Sequence, residues 1–139
     1  MGNSFYNEVI NEHNLRPYHK HPLPGANFSL DGVNPSCGDE ITLNLLIEDG
    51  VIKDGAFEGE GCAISQASAD IMLELIIGKT ESEAMRLYDL FNRMIKEGIT
   101  EEEKDELEEA GLLESISHMP ARVKCAVLGW RTMKEIVEK

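Results

Sequence analysis

Apolar and polar residues alternate between positions 41 and 48, and this alternation predicts a strand with one buried face. The apolar residues that share this face are Ile41, Leu43, Leu45 and Ile47. The dipeptide Asp49-Gly50 that follows is a strong hairpin signal, so residues 51–58 are expected to return as a second strand. Residues 28–33 provide a third strand. An antiparallel sheet with one apolar face needs a cover on that face.

Helical periodicity dominates the rest of the chain and supplies the cover. Apolar residues at helical spacing run from Ile64 to Leu75, and Gly78 follows as a stop. The tetrapeptides at 80–83 and 100–103 are capping boxes that open two further helices, the second a short acidic one that ends near Gly111.

The two ends of the chain add one helix each. Residues 4–14 form a short helix, residues 16–25 form a proline-rich extended loop, and the last helix begins between 117 and 120. Strands grouped before helices indicate an α+β fold, in which helices cover one face of a small antiparallel three-stranded sheet. We expect residues 1–139 to form one domain.

Composition and charge exclude several classes of function. The formal net charge of −13 argues against nucleic acid as a partner, because phosphate binding needs clustered lysine and arginine. Apolar stretches are too short to span a bilayer, so no membrane association is expected. The odd number of cysteines and the lack of a secretory leader favour a reducing, cytoplasmic location, where cysteines more often bind metal or catalyse than form disulfides.

Three cysteines and one aspartate are the candidate chemistry. Cys37 lies in a Pro/Gly turn two residues before Asp39, Cys62 precedes a helix start, and Cys125 lies inside the last helix. Three thiolates and a carboxylate make a plausible four-coordinate zinc site. The spacing matches no zinc-finger pattern, however, and each cysteine taken alone is also explained as a small buried hydrophobe.

The four histidines carry weaker signals. His19 and His21 flank Lys20 in the proline-rich loop, where they are either a surface metal site or, as we expect, solvated loop residues. His13 and His118 are expected on helix surfaces or at helix caps.

Three motifs together resemble a known family. The segments Asn34-Pro35-Ser36-Cys37-Gly38-Asp39, Gly61-Cys62-Ala63-Ile64-Ser65-Gln66-Ala67-Ser68 and Arg122-Val123-Lys124-Cys125-Ala126-Val127-Leu128-Gly129-Trp130 are similar to those of the U-type iron–sulfur cluster assembly proteins, which comprise IscU, SufU and the NifU N-terminal domain. The resemblance covers nearly the whole chain.

Departures from the IscU pattern point to the SufU branch. IscU-type scaffolds carry a histidine immediately before the third cysteine, where this chain has Lys124. They also carry a Leu-Pro-Pro-Val-Lys stretch that a chaperone reads, and this chain has Met119-Pro120-Ala121-Arg122-Val123-Lys124 instead. Residues 97–115 look like the acidic insertion that marks SufU.

The resemblance implies a ligand set and a reaction. It implies zinc on Cys37, Asp39, Cys62 and Cys125, with Lys124 or Arg122 close behind the ligands. It further implies a zinc-dependent sulfurtransferase that accepts persulfide sulfur from a SufS-type cysteine desulfurase and serves downstream iron–sulfur assembly proteins. We assign Cys37 as the sulfur acceptor, because its Gly-flanked loop can move whereas Cys125 is held in a helix.

The competing interpretation is a non-enzymatic scaffold. Three thiolates and a carboxylate also hold iron, so a [2Fe–2S] cluster could be assembled on the same residues and passed on. A third interpretation is a binding module whose zinc only stabilises the fold. Whether the chain is an enzyme depends on which of the three it is.

Overall fold

The computed structural model describes residues 2–36 and 38–138, with side chains from Glu8 onward. In chain order the elements are α1 (Gly2–Leu15), β1 (Phe28–Asn34), β2 (Asp39–Glu48), β3 (Val51–Glu60), α2 (Ala63–Ile76), α3 (Glu81–Lys96), α4 (Glu101–Glu106), a 3₁₀ helix (Glu108–His118) and α5 (Pro120–Val137). The predicted α+β fold is confirmed. No helix among the described residues is long and apolar enough to cross a membrane.

The sheet has the order β1-β2-β3, and both strand pairs are antiparallel. The turn between β2 and β3 places Asp49 at φ 53° and Gly50 at φ 73°. Two consecutive positive φ angles are what a two-residue hairpin turn with the natural strand twist requires, which is why Asp-Gly predicted it. This turn fixes the register in which Glu48 pairs with Val51.

One face of the sheet packs against the helices and is buried along β2 and much of β3. Its fully buried side chains include Ile41, Leu43, Leu45, Ile52 and Phe57. Helices α2 and α5 cross above it and meet each other closely, because a Cβ at Gly129 would lie only 3.2 Å from the Cβ of Ala69. The sheet, α2 and α5 therefore form one core, and the end of this core at Asp39 carries the candidate site.

The segment after α4 differs from its prediction. The acidic helix ends at Glu106, and a 3₁₀ helix runs on through the predicted stop at Gly111 to His118. Glu108 has φ 50°, a value that no α-helix can include, so the α-helical pattern ends there. The buried hydrophobic side chains from Leu107 onward recur at every third position, which is the period of a 3₁₀ helix. They are Leu107, Ala110, Leu113 and Ile116.

His13 is buried, and its predicted position on a helix surface is wrong. Only 3% of it is exposed. Its Nδ1 lies 2.6 Å from Oδ2 of Asp70 on α2, and its Nε2 lies 2.9 Å from Oε1 of Glu109 on the 3₁₀ helix. Ionised carboxylates only accept hydrogen bonds, so when both are ionised both ring nitrogens donate and the ring is an imidazolium. This cation joins three elements that are far apart in sequence.

Candidate metal centre

Asp39, Cys62 and Cys125 meet at one end of the core. A carboxylate oxygen and the two Sγ atoms all lie within 4.8 Å of one another. Asp39 and Cys125 are fully buried, and Cys62 is partly exposed. The three residues come from the start of β2, the start of α2 and the second turn of α5, so the tertiary fold brings together positions that the sequence separates by up to 86 residues.

Strand register positions Asp39. It is the first residue of β2 and pairs with Asn34, the last residue of β1. Side chains alternate along a strand, so Asp39 shares the face of Ile41 and Leu43 and its carboxylate points beneath the helices. A carboxylate in this position needs hydrogen-bond donors or a cation, because burial removes its water.

Cys62 occupies the N-cap of α2. Its Sγ accepts a hydrogen bond from the backbone N–H of Ser65 at 3.5 Å, and its own N–H donates to Oδ1 of Asp39 at 2.8 Å. The preceding Gly61 makes this close approach possible, since a Cβ there would lie 2.7 Å from Oδ1 of Asp39. Cys62 therefore lies directly before a helix, as the sequence predicted.

Cys125 reaches the site from the last helix. Asn34 links it to Asp39, because the Nδ2 of Asn34 lies 3.8 Å from Sγ of Cys125 and 3.4 Å from Oδ2 of Asp39. Nothing in the local sequence distinguishes Asn34, which precedes Pro35 in the predicted turn. The available signal was its position five residues before Asp39, at the start of the predicted turn, which places the two residues opposite each other on paired strands.

The donor set suits a thiophilic divalent ion. Two sulfurs and one carboxylate oxygen match the ligands of zinc, and sulfur-rich sites also hold iron. Zn–S bonds of about 2.3 Å in tetrahedral geometry bring sulfurs to about 3.8 Å from each other. The described ligand atoms lie within 4.8 Å of one another, so closing around an ion takes a shift of about an ångström at most.

The other predicted site residues are distributed as follows. Cys37, predicted as both ligand and sulfur acceptor, lies outside the described residues. Its neighbour Gly38 has φ 71°, in the left-handed region that glycine favours, and joins it to Asp39. Arg122 and Lys124 are exposed on the first turns of α5. Their proposed place behind the ligands stays a prediction.

The histidines lie outside the cluster of Asp39, Cys62 and Cys125. His13 belongs to the cluster with Asp70, and His118 is exposed at the end of the 3₁₀ helix. Nε2 of His19 lies 2.6 Å from Oε2 of Glu74. Nδ1 of the exposed His21 ring contacts the carbonyl oxygen of Pro22.

Comparison with known proteins identifies the family. The sequence profile of the NifU-like N-terminal domain matches residues 5–138, which include Asp39, Cys62 and Cys125. The chain belongs to this family. The resemblance to U-type iron–sulfur assembly proteins is thereby confirmed.

Relatives within the family carry two different names. The chain is 44% identical over 134 residues to the iron-sulfur cluster assembly scaffold protein IscU of Thermotoga maritima, covering 96% of this chain and 93% of that protein. It is 35% identical over 136 residues to the zinc-dependent sulfurtransferase SufU of Bacillus subtilis, covering 98% of this chain and 91% of that protein. Overall identity therefore does not choose between scaffold and sulfurtransferase.

Solved structures of the family share the fold. The crystal structure of FiSufU from the thermophilic Fervidobacterium islandicum AW-1 superimposes with a TM-score of 0.88 at 35% sequence identity, covering 94% of each chain. The overall fold of this chain is thus shared with that protein.

Proposed function

We propose that this protein is a zinc-dependent sulfurtransferase of iron–sulfur cluster assembly that accepts persulfide sulfur from a cysteine desulfurase. The observation that carries the proposal is the convergence of Asp39, Cys62 and Cys125 on one point at the end of the core. Cys37, two residues from Asp39 in the chain, completes the proposed ligand set. We retain residues 1–139 as one domain with an acidic insertion at 97–115.

Zinc, when bound, would keep its thiolate ligands deprotonated and would join the start of β2, the start of α2 and α5. Asp39, Cys62 and Cys125 would hold it from regular elements, whereas Cys37 belongs to a segment that the sequence predicts to be a turn. The ligand that leaves most easily is the one whose movement disturbs no helix or strand. That difference is why we assign sulfur acceptance to Cys37.

The chemistry is a thiolate–persulfide exchange. The thiolate of Cys37 attacks the outer sulfur of a persulfide on the desulfurase. The S–S bond of that persulfide breaks, a new S–S bond forms on Cys37, and the desulfurase cysteine leaves as a thiolate. The outer sulfur keeps its hydrogen when it is transferred to Cys37, so the exchange consumes no oxidant or reductant.

Persulfide mapping tests this assignment. The zinc-loaded protein is incubated with a cysteine desulfurase and cysteine, and mass spectrometry of its peptides locates the added sulfur. We expect it on Cys37, and we expect Cys37→Ala to accept none. Added sulfur found mainly on Cys62 or Cys125, with Cys37→Ala accepting sulfur at the parental rate, would show that Cys37 is only a ligand.

The second candidate is a scaffold for a [2Fe–2S] cluster. It is supported by the name of the Thermotoga maritima relative and by a donor set that also suits iron. Against it stands Lys124, which occupies the position before the third cysteine where IscU-type scaffolds have histidine. A stable visible-absorbing cluster that transfers to an apo-protein, together with zinc that does not accelerate the desulfurase, would favour the scaffold.

A further inference from the structure

We propose that Asn34 is a positioning residue of the metal centre, which holds the Asp39 carboxylate and the Cys125 thiolate in place and thereby keeps Cys125 a fixed ligand. The expected effect of Asn34 on sulfur transfer rests on the proposed function. Its expected effect on metal binding does not depend on that function.

Strand pairing and the following proline restrict the backbone of Asn34. It is the last residue of β1, directly across from Asp39, and it is followed by Pro35. A residue before proline is restricted to extended backbone, and proline has no N–H with which to continue a ladder. The strand therefore ends with the Asn34 side chain directed into the core, where only 4% of the residue is exposed.

The carboxamide of Asn34 has two N–H bonds and two acceptors within reach. Its Nδ2 lies 3.4 Å from Oδ2 of Asp39 and 3.8 Å from Sγ of Cys125. Oδ1 of Asp39 accepts from the N–H of Cys62, and Oδ2 lies 4.0 Å from Sγ of Cys62, so we take Oδ2 as the oxygen that would bind the metal. Asn34 therefore orients the one oxygen of Asp39 that faces the sulfurs, as groups behind a ligand do in metal sites.

Both described sulfurs receive an N–H group, but from different sources. The donor to Cys62 is the backbone N–H of Ser65, and a donor to Cys125 is the Asn34 side chain. A hydrogen bond to a ligand sulfur spreads its negative charge, which favours the ligand state over attack on a sulfur electrophile. Substitution of Asn34 removes its side-chain donor to Cys125 and leaves the backbone donor to Cys62 in place.

The experiment compares Asn34→Ala with Asn44→Ala. Asn44 is a matched control, because it is also a buried strand asparagine of this sheet, and its Nδ2 contacts Glu58 rather than the metal ligands. We expect Asn34→Ala to bind zinc about 10–100-fold more weakly in chelator competition. In the cobalt-substituted protein we expect the sulfur-to-cobalt charge-transfer bands to shift. Asn44→Ala should match the parent in both.

Sulfur mapping then tests the choice of acceptor. In the parent the added sulfur is expected on Cys37 alone, and in Asn34→Ala a measurable share should move to Cys125. If the parent takes up no sulfur on any cysteine, the proposed function fails, but the zinc and cobalt measurements still decide the role of Asn34.

The variant Asn34→Ser provides a second test in case Asn34→Ala does not fold. Its hydroxyl offers one short donor, so zinc affinity and cobalt spectrum should fall between those of the parent and Asn34→Ala. Parental zinc affinity and parental charge-transfer bands in a folded Asn34→Ala or Asn34→Ser would overturn the proposal.

Discussion

Two aspartates of this protein are completely buried, and their surroundings differ in charge. Asp70 accepts hydrogen bonds from the imidazolium of His13 and from the backbone N–H groups of Tyr18 and His19, at 2.6, 3.2 and 2.8 Å. Asp39 accepts from the N–H of Cys62 and from the neutral amide of Asn34, and its other neighbours are two cysteine sulfurs. One carboxylate thus has a cation beside it and the other has thiols.

The difference separates a structural carboxylate from one prepared for a ligand. The negative charge of Asp70 is compensated within the chain, so its cluster is complete and ties α1, the following loop, α2 and the 3₁₀ helix together. At Asp39 the described neighbours bring further potential negative charge instead. Burying such a group is costly unless a cation joins it, and a divalent ion fits that need. A buried acid is therefore best judged by the charge around it.

The strongest test of this comparison is removal of Asp70. Asp70→Ala leaves a buried imidazolium with one exposed partner and two backbone N–H groups without their acceptor. We expect a loss of about 3–5 kcal/mol in the free energy of unfolding, measured by urea denaturation, with or without zinc. Glu74→Ala is the control, because Glu74 pairs with His19 at the surface and should cost less than about 1 kcal/mol. A loss at Asp70 no larger than this control would contradict the comparison.

The second test uses zinc. Zinc at about 1,000 times its dissociation constant should add about 4 kcal/mol to the stability of the parent, because only the folded state assembles the site. In Asp39→Asn this increment should shrink, since the amide keeps an oxygen for the Cys62 N–H but lacks the charge. Asp31→Asn, at an exposed aspartate bonded to Thr42, should keep the full increment.

Melting curves with and without chelator measure both variants. A parent whose melting temperature is the same in the two conditions would show that the metal contributes nothing to the fold. An Asp39→Asn increment equal to that of the parent would remove Asp39 from the site.

The smallest expected effect is the pH dependence of stability that His13 gives to the Asp70 region. Burial by itself lowers the pKa of His13, but hydrogen bonds to Asp70 and Glu109 outweigh it, so the pKa lies above the usual 6.5. A raised pKa contributes stability that is fully present below the unfolded-state value and is lost as pH rises through the folded-state value. We expect His13→Gln to cost about 2 kcal/mol at pH 6.

The difference between parent and His13→Gln should narrow as the pH is raised, while zinc content stays unchanged. Urea denaturation at several pH values measures it. The Tyr18 ring packs edge-on against the His13 ring, with 5.7 Å between the ring centroids. Glu109 is half-exposed and is the weaker of the two carboxylate partners of His13. Glu109→Gln should therefore reduce the pH dependence of stability without abolishing it. A difference that is constant across pH would contradict the prediction, because it would show that the free energy contributed by His13 does not depend on its protonation in that range.

Local signals predicted most of the fold. Asp49-Gly50 gave the hairpin, and both capping boxes form as expected, with Thr80 and Thr100 bonded to Glu83 and Glu103. Cys62 was placed correctly at a helix start for the same reason, because N-cap chemistry is decided within a few residues.

Long-range contacts were not predictable from periodicity. His13 has partners 57 and 96 residues away, so nothing near it in sequence distinguishes a buried cation from a surface residue. Asn34 looked like part of a turn because its contact with Cys125 exists only after α5 has packed on the sheet. The end of α4 was misplaced because the positive φ of Glu108 has no sequence signature of its own.

Cys62 as the N-cap of α2 has a spectroscopic consequence. The backbone amide of Cys62 is bonded to one proposed ligand and the amide of Ser65 to another, so two peptide protons report directly on the carboxylate and the thiolate. Their resonances in a nitrogen–proton correlation spectrum should move together when an ion enters. Amide hydrogen exchange at the same two positions should slow as the helix start is locked, which gives a residue-level record of metal occupancy.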